Sequence, residues 1–227
     1  MNLCIRALAF VASWAVAVAH GGCALTSKAD AQSARMFSVE RQTKAPELPE
    51  PEGAPLELRL GQVDAASHLE ERITYRLHGA ELAYYDDRRW TEEPEQYVRR
   101  ALERELFERR HIRRVVSGAS ATLDVELTAF EELRGPPARV RLALSYTLHD
   151  ARQSSLERSL VIERALTDTA EPDRAQQVAA ALAIALTDAV SEISDQVTRK
   201  LGATTTVPAP FTEPSDPSRA TSERSRP

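Results

Sequence analysis

The residue best placed for covalent chemistry is Cys23. It follows Gly21-Gly22, at the exit of an apolar run from Ala7 to Ala19 that is itself preceded by Met1-Asn2-Leu3-Cys4-Ile5-Arg6. A basic start, an apolar stretch of roughly 7–15 residues and small residues at the exit form the pattern of an export signal. Two processing routes fit it. Ala17-Val18-Ala19 matches the A-x-A rule of ordinary secretory cleavage, which would release a soluble periplasmic protein. Gly21-Gly22-Cys23 matches a lipobox, in which small residues precede a cysteine whose thiol receives a diacylglycerol. His20 departs from the aliphatic residue a lipobox prefers three before the cysteine. Removal of the signal takes Cys4 with it and leaves Cys23 as the only cysteine. A lone cysteine in an oxidising compartment has no internal partner, and lipidation gives it a role. Acyl chains contribute about 0.8 kcal/mol per buried methylene. Ala24 stands where the common inner-membrane retention signal has aspartate, so the default destination is the outer membrane.

Other chemistry is thin. His68, His78, His111 and His149 fall singly in turns or at element ends, where surface and capping roles are the ordinary ones. No H-x-x-x-H or C-x-x-C spacing suggests a metal, and no Gly-rich loop suggests a phosphate cradle. Ser117-Gly118-Ala119-Ser120 lacks the strand–Ser–helix setting of a nucleophile elbow. Glu103, Glu105 and Glu108 alternate with Arg104, Arg109 and Arg110, which reads as a solvated helix face with i,i+4 pairing. The sequence therefore nominates no catalytic residue and no cofactor beyond the acyl anchor. A net charge of −5 argues against nucleic acid as a partner, and the Arg99-Arg100, Arg109-Arg110 and Arg113-Arg114 pairs each have glutamates nearby.

The elements that would carry these residues follow from periodicity. Residues 1–22 read as the signal, and no later segment comes close to the length of apolar residues that crosses a bilayer. Residues 23–55 have no hydrophobic period, and Thr43 to Pro55 is Pro- and Glu-rich, as in a semi-extended tether reaching at most roughly 100 Å. Residues 202–227 are rich in Thr, Pro, Ser and Arg, and read as a disordered tail. The span 56–201 has the size of one domain. Within it, Leu56 to Val63 alternates as a half-buried strand, and Arg72–Leu77 and Glu81–Tyr85 read as strands around a His78-Gly79 turn. Pro94 opens a helix, capped at Thr91 or a neighbour, with Val98, Ala101, Leu102 and Leu106 on its apolar stripe. Ile112 to Val116 is a short strand. Ala121–Leu133, Arg139–His149 and Ser155–Leu166 form an antiparallel meander. Leu123, Val125, Leu127 and Ala129 share one face of its first strand. A long helix spans about Asp173 to Leu201, with Val178, Leu182, Ala185, Ala189, Ile193 and Val197 facing inward and Gly202 stopping it. The expected fold class is α+β, a single domain in which two main helices pack on an antiparallel β-sheet.

The segment Ala83 to Pro94 concentrates aromatics. It holds two of the five tyrosines and the only tryptophan after the signal. One tyrosine and Trp90 can pack as core against the Pro94 helix. Aromatics beside arginine are also what partner-interface hot spots look like, so Tyr84, Tyr85, Arg89 and Trp90 are the candidate partner interface. The two readings are compatible for alternating tyrosines.

Arg72-Ile73-Thr74-Tyr75-Arg76, then Tyr84-Tyr85, then Arg89-Trp90 with Pro94 heading a helix, resembles the ABC-type transport auxiliary lipoproteins (PqiC-like). Leu123-Asp124-Val125-Glu126-Leu127 through Phe130-Glu131, then Tyr146-Thr147-Leu148-His149-Asp150, then the Ala-rich helix Ala175 to Leu201, match later parts of that family in order. The likeness covers Leu56 to Leu201 and the signal, and departs at His20 and in the tail. It implies a non-enzymatic outer-membrane lipoprotein, facing the periplasm and held in the membrane by its acyl chains, such as palmitate, on Cys23. It also implies partners, a periplasmic MCE-domain protein with its ABC permease and ATPase, and assembly as a homo-oligomeric ring. The implied work is intermembrane (phospho)lipid transport that supports envelope integrity. The rival class is a structural or assembly lipoprotein that engages another envelope machine through its sheet edge.

Overall fold

The computed structural model describes residues 33–39, 55–77, 79–118, 120–150, 154–166 and 174–205. Cys23, His78, most of the proposed tether and the tail from residue 206 lie outside them. The described elements are β1 (Arg35–Phe37), β2 (Glu57–Ala65), β3 (Arg72–Arg76), β4 (Leu82–Trp90), α1 (Pro94–Glu103), β5 (Arg113–Arg114), β6 (Thr122–Leu133), β7 (Arg139–His149), β8 (Ser154–Ala165) and α2 (Arg174–Thr205). A π-helical turn, Arg104–Arg109, extends α1.

The fold is α+β, with two helices on one sheet. β6, β7 and β8 form the antiparallel meander that alternation predicts. β6 is the long strand on which the rest is assembled. Its first half pairs in parallel with β2, and its last residues, Glu131 to Leu133, pair in parallel with β3. Beyond these lie β4, antiparallel to β3, and β5, parallel to β2. β1 flanks β4. It falls inside the span 23–55 and contributes Val39, just beyond it, to the buried core. Met36, Phe37 and Val39 form too short a run to show a period.

Of the four breaks in register among the described strands, two involve β6 and its partners β2 and β7. One lies in β2 between Leu60 and Val63, where Gly61 lets the Asp124 side chain close on the backbone. Asp124 Oδ1 accepts from the Gln62 N–H at 2.7 Å, and Oδ2 lies 2.8 Å from His149 Nε2. The other lies in β6 between Leu127 and Ala129. One extra residue there reverses which face each following side chain takes. Leu123, Val125 and Leu127 face the helices as expected, but Ala129 turns to the opposite face, across from Ala143. Phe130 and Glu132 turn inward, across from Leu142 and Val140.

Val140, Leu142, Leu144, Tyr146 and Leu148 of β7 are buried, and Leu156, Leu160 and Ile162 of β8 are half-buried on the same side. Against them α2 presents Val178, Leu182, Ala185, Ala189, Ile193 and Val197, all fully buried. By length and composition α2 could cross a membrane, contrary to the expectation that no later segment approaches that length. Its alanines raise its hydropathy, but it spends its apolar face on the sheet. α2 also runs through Gly202 to Thr205, because a glycine in a last turn weakens a helix without ending it.

In α1, Val98, Leu102 and Leu106 are buried as the stripe predicts, joined by Tyr97. Thr91 does not cap the helix. Its hydroxyl lies 2.7 Å from Tyr97 OH, and the N-cap residue is Glu93, which makes no side-chain cap. The acids after α1 are not all solvated either. Glu105 is buried and held by both Arg109 and Arg110, since the π turn brings i+4 and i+5 to the same carboxylate.

A Cβ at Gly61 would collide with Asp124 Oδ1 and lie 2.8 Å from Thr122 Cγ2. Gly61→Ala is expected to destabilise the domain by about 1–3 kcal/mol, measured by urea unfolding. Because the closer of the two clashes is with the Asp124 side chain, adding Asp124→Ala is expected to restore part of the loss. Strict additivity of the two changes would refute that account.

Candidate functional site

The aromatic segment is split by a register break in β4 between Tyr84 and Arg89, where β4 carries extra residues opposite Arg72–Thr74 of β3. Trp90 is fully buried, 6.4 Å from the Tyr97 ring and 5.3 Å from the Phe130 ring in edge-to-face contacts. Tyr85 is buried too, its ring 5.3 Å from that of Tyr75. These two have no surface to offer a partner. Tyr84 and Arg89 are half-buried and retain some. Tyr84 OH donates to the His68 carbonyl at 3.2 Å, and the Arg72 guanidinium lies 4.2 Å from its ring centre. Arg89 donates to the carbonyls of Tyr85 and Arg88. Among the described residues, then, the four candidate interface residues do not converge on one exposed patch.

Sequence periodicity missed the polar centre of this region, Glu132. Its carboxylate is completely buried, inward on β6. Tyr85 OH donates to Oε2 at 2.6 Å, Arg134 Nε donates to Oε2 at 3.1 Å, and Arg174 Nε donates to Oε1 at 2.7 Å. Those donors come from β4, from the loop after β6 and from the first residue of α2. Burial raises the Tyr85 hydroxyl pKa well above its ordinary value, and the hydrogen bond to Glu132 raises it further against the opposing Arg134 charge. Tyr85 therefore stays a donor at any physiological pH. The Arg134 guanidinium also lies against two aromatic rings, 3.6 Å from the centre of Tyr75 and 4.6 Å from that of Tyr85.

On the far face of the sheet, away from the helices, a second set of charges crosses β3, β6, β7 and β8. Glu131 is 1% exposed and accepts from Arg76 Nε at 3.0 Å, with Arg141 Nη1 at 3.7 Å. Glu163 accepts from Arg141 Nε at 3.0 Å. Arg139 Nε lies 2.9 Å from Glu163 but is misaligned for a hydrogen bond. An open cavity of about 390 Å³ sits at this end, walled by Arg76, Arg134, Arg139 and Arg141 with Leu77, Leu133, Pro136 and Pro137. At the other end of the same face a cavity of about 400 Å³ is acidic, with Asp64, Asp124, Glu126 and Glu157 in its wall. The cleft between α1 and α2, lined in part by Val39, Tyr97 and Leu186, holds only about 50 Å³, far below the several hundred cubic ångströms of an ordinary ligand pocket.

The model of the ABC-type transport auxiliary lipoprotein component matches residues 37–198. The chain belongs to that family. The match begins at Phe37, where β1 ends, and closes near the end of α2, so it covers the folded unit and not only the span 56–201. Solved structures share the fold. One is protein XCC0632 from Xanthomonas campestris, described under DUF330, with a TM-score of 0.65 and 16% identity over 77% of this chain and 100% of that one. Another is an uncharacterized protein with a TM-score of 0.54 and 13% identity, over 73% of this chain and 99% of that one. At such identities the likeness concerns fold alone. No curated protein matches the sequence.

Removing the Glu132 carboxylate leaves Arg174 and Arg134 without their shared counter-charge. Glu132→Ala is expected to cost about 3–5 kcal/mol, and Glu132→Gln, which keeps one acceptor, clearly less. Glu126→Ala, on the exposed side of the same strand, is expected to stay within about 0.5 kcal/mol. Urea titrations of the three variants decide this, and a Glu132→Ala cost no larger than that of Glu126→Ala would show that the carboxylate is dispensable.

Proposed function

We propose that this family member is the non-enzymatic lipoprotein component of an ABC/MCE-type intermembrane lipid transport system, anchored in the outer membrane through Cys23 and facing the periplasm. The family match over 37–198 is the observation that carries the reading. The Gly21-Gly22-Cys23 site, the residue Ala24 and the Pro/Glu-rich span before the domain support it. In this reading the domain docks with, or receives from, a periplasmic MCE-domain protein and its ABC permease and ATPase. The narrow cleft between the helices favours a docking role over carriage of whole acyl chains inside the domain. A homo-oligomer would give such a receiver a symmetric surface.

The alternative, an assembly lipoprotein of another envelope machine, draws on one feature. Among the described residues β8 pairs only with β7, so a twelve-residue strand keeps one open edge, a surface on which a partner strand could add.

Cys23→Ala is expected to leave the domain folded but to move it from the outer-membrane fraction to the soluble periplasm, measured by fractionation and immunoblotting. Continued membrane attachment of that variant would refute the anchor. Crosslinking in intact cells is expected to join the wild-type domain to an MCE-domain protein. Crosslinks to outer-membrane assembly components in its place would favour the alternative.

A further inference from the structure

We propose that the arginine-walled cavity at the β6–β7 end of the sheet binds a phosphate group, held by Arg76, Arg134, Arg139 and Arg141. The proposal rests on side-chain geometry and stands independently of the transport reading.

Four guanidinium groups reach this cavity from the end of β3, from the loop after β6 and from the start of β7, and among the described residues no acidic side chain lines its wall. The carboxylates that steady the arginines lie behind it. Each is approached through Nε: Arg76 on Glu131, Arg134 on Glu132, Arg141 and Arg139 on Glu163. Arg174 also binds Glu132. The four cavity guanidinium groups therefore lean on three carboxylates, one of which also serves Arg174, and positive charge faces the cavity. Engagement through Nε turns terminal amino groups toward the cavity as the donors that an incoming anion meets, although Arg76 Nη1 also donates to the Ala80 carbonyl at 3.4 Å and Arg141 Nη1 lies 3.7 Å from Glu131. Stacking on Tyr75 and Tyr85 holds Arg134 in place before any ligand arrives, which lowers the ordering cost of binding.

The arrangement favours phosphate over carboxylate. A planar carboxylate presents two oxygens in one plane and is matched by one bidentate guanidinium fork. A tetrahedral group presents oxygens in several directions and accepts forks from several strands at once. Leu77, Leu133, Pro136 and Pro137 supply apolar wall beside the cations, suited to the carbon portion of a phosphoester. A lipid headgroup would use both surfaces, whereas free phosphate would use the arginines alone.

The test titrates inorganic phosphate, phosphatidylglycerol in dodecyl maltoside micelles, and acetate at matched ionic strength into the full chain in the same detergent. The readout is the arginine Nε–Hε NMR signals. Saturable shifts with phosphate-bearing probes are expected, with R139Q/R141Q weakening affinity at least tenfold and R158Q, in the acidic cavity, leaving it unchanged. Tenfold tighter binding of phosphatidylglycerol than of inorganic phosphate supports the site with a lipid headgroup as its ligand. Equal or tighter binding of inorganic phosphate supports it with the free anion. No saturable shift with either, equal shifts with acetate, or undiminished binding by a folded R139Q/R141Q variant overturns it. Should that variant fail to fold, R139K/R141K keeps the charge and removes the fork. At least a threefold loss is then expected, and none would overturn the proposal.

Discussion

The arrangement depends on the extra residue in β6 between Leu127 and Ala129. A strand alternates its side chains strictly, so a single insertion exchanges the two faces for everything that follows. Upstream, β6 gives Leu123, Val125 and Leu127 to the core. Downstream, the exchange puts Phe130 beneath Trp90 and buries Glu132 among Tyr85, Arg134 and Arg174. It also leaves Glu131 on the far face to organise Arg76 and Arg141. With unbroken alternation, Phe130 and Glu132 would point to solvent and the β4 aromatics would lack their partners.

Glu132 turns that local irregularity into tertiary structure. A buried carboxylate is costly unless its lone pairs are filled, and here they are filled from β4, from the loop after β6 and from α2. The same carboxylate therefore specifies where three chain segments must meet. Such a network contributes less to net stability than the aromatic cluster beside it, because desolvation offsets much of the Coulomb attraction. Its larger effect is on uniqueness, since a shifted α2 would take Arg174 away from Glu132.

Most of the architecture was legible in the sequence. Regular alternation announced β7 and the meander, Pro94 marked the start of α1, and the inward residues of α2 follow from helical spacing. Much of what escaped shares a cause. Periodicity describes elements that keep their period, and the polar centre lies where β6 breaks its own. Read with unbroken alternation, Glu132 is an outward acid like Glu126, and Ala129 an inward residue like Leu127. The π turn hid Glu105 in the same way, by bringing Arg110 to a carboxylate that i,i+4 spacing assigns to Arg109 alone. Tyr84, Tyr85, Arg89 and Trp90 formed a cluster in sequence, but β4 breaks its register with β3 between Tyr84 and Arg89, and the break buries both Tyr85 and Trp90, five residues apart. The arginine-walled cavity was invisible for a further reason. Its members come from β3, the β6–β7 loop and β7, and only the parallel β3–β6 pairing brings Arg76 to the others.

The distribution of surface chemistry follows from how the helices are used. α1 and α2 fill one face of the sheet so closely that the cleft between them is smaller than a lipid chain requires. Recognition of any sizeable ligand or partner is thereby directed to the opposite face and to the open edge of β8. That opposite face is polarised, with Asp64, Asp124, Glu126 and Glu157 at one end and the arginines at the other. The polarity is independent of the overall charge of −5, which predicts weak attraction to anions for the molecule as a whole. Within a Debye length of about 8–10 Å the local field governs, and at the β6–β7 end that field is positive. An anionic group approaching this face is therefore drawn to one end of the sheet and repelled from the other.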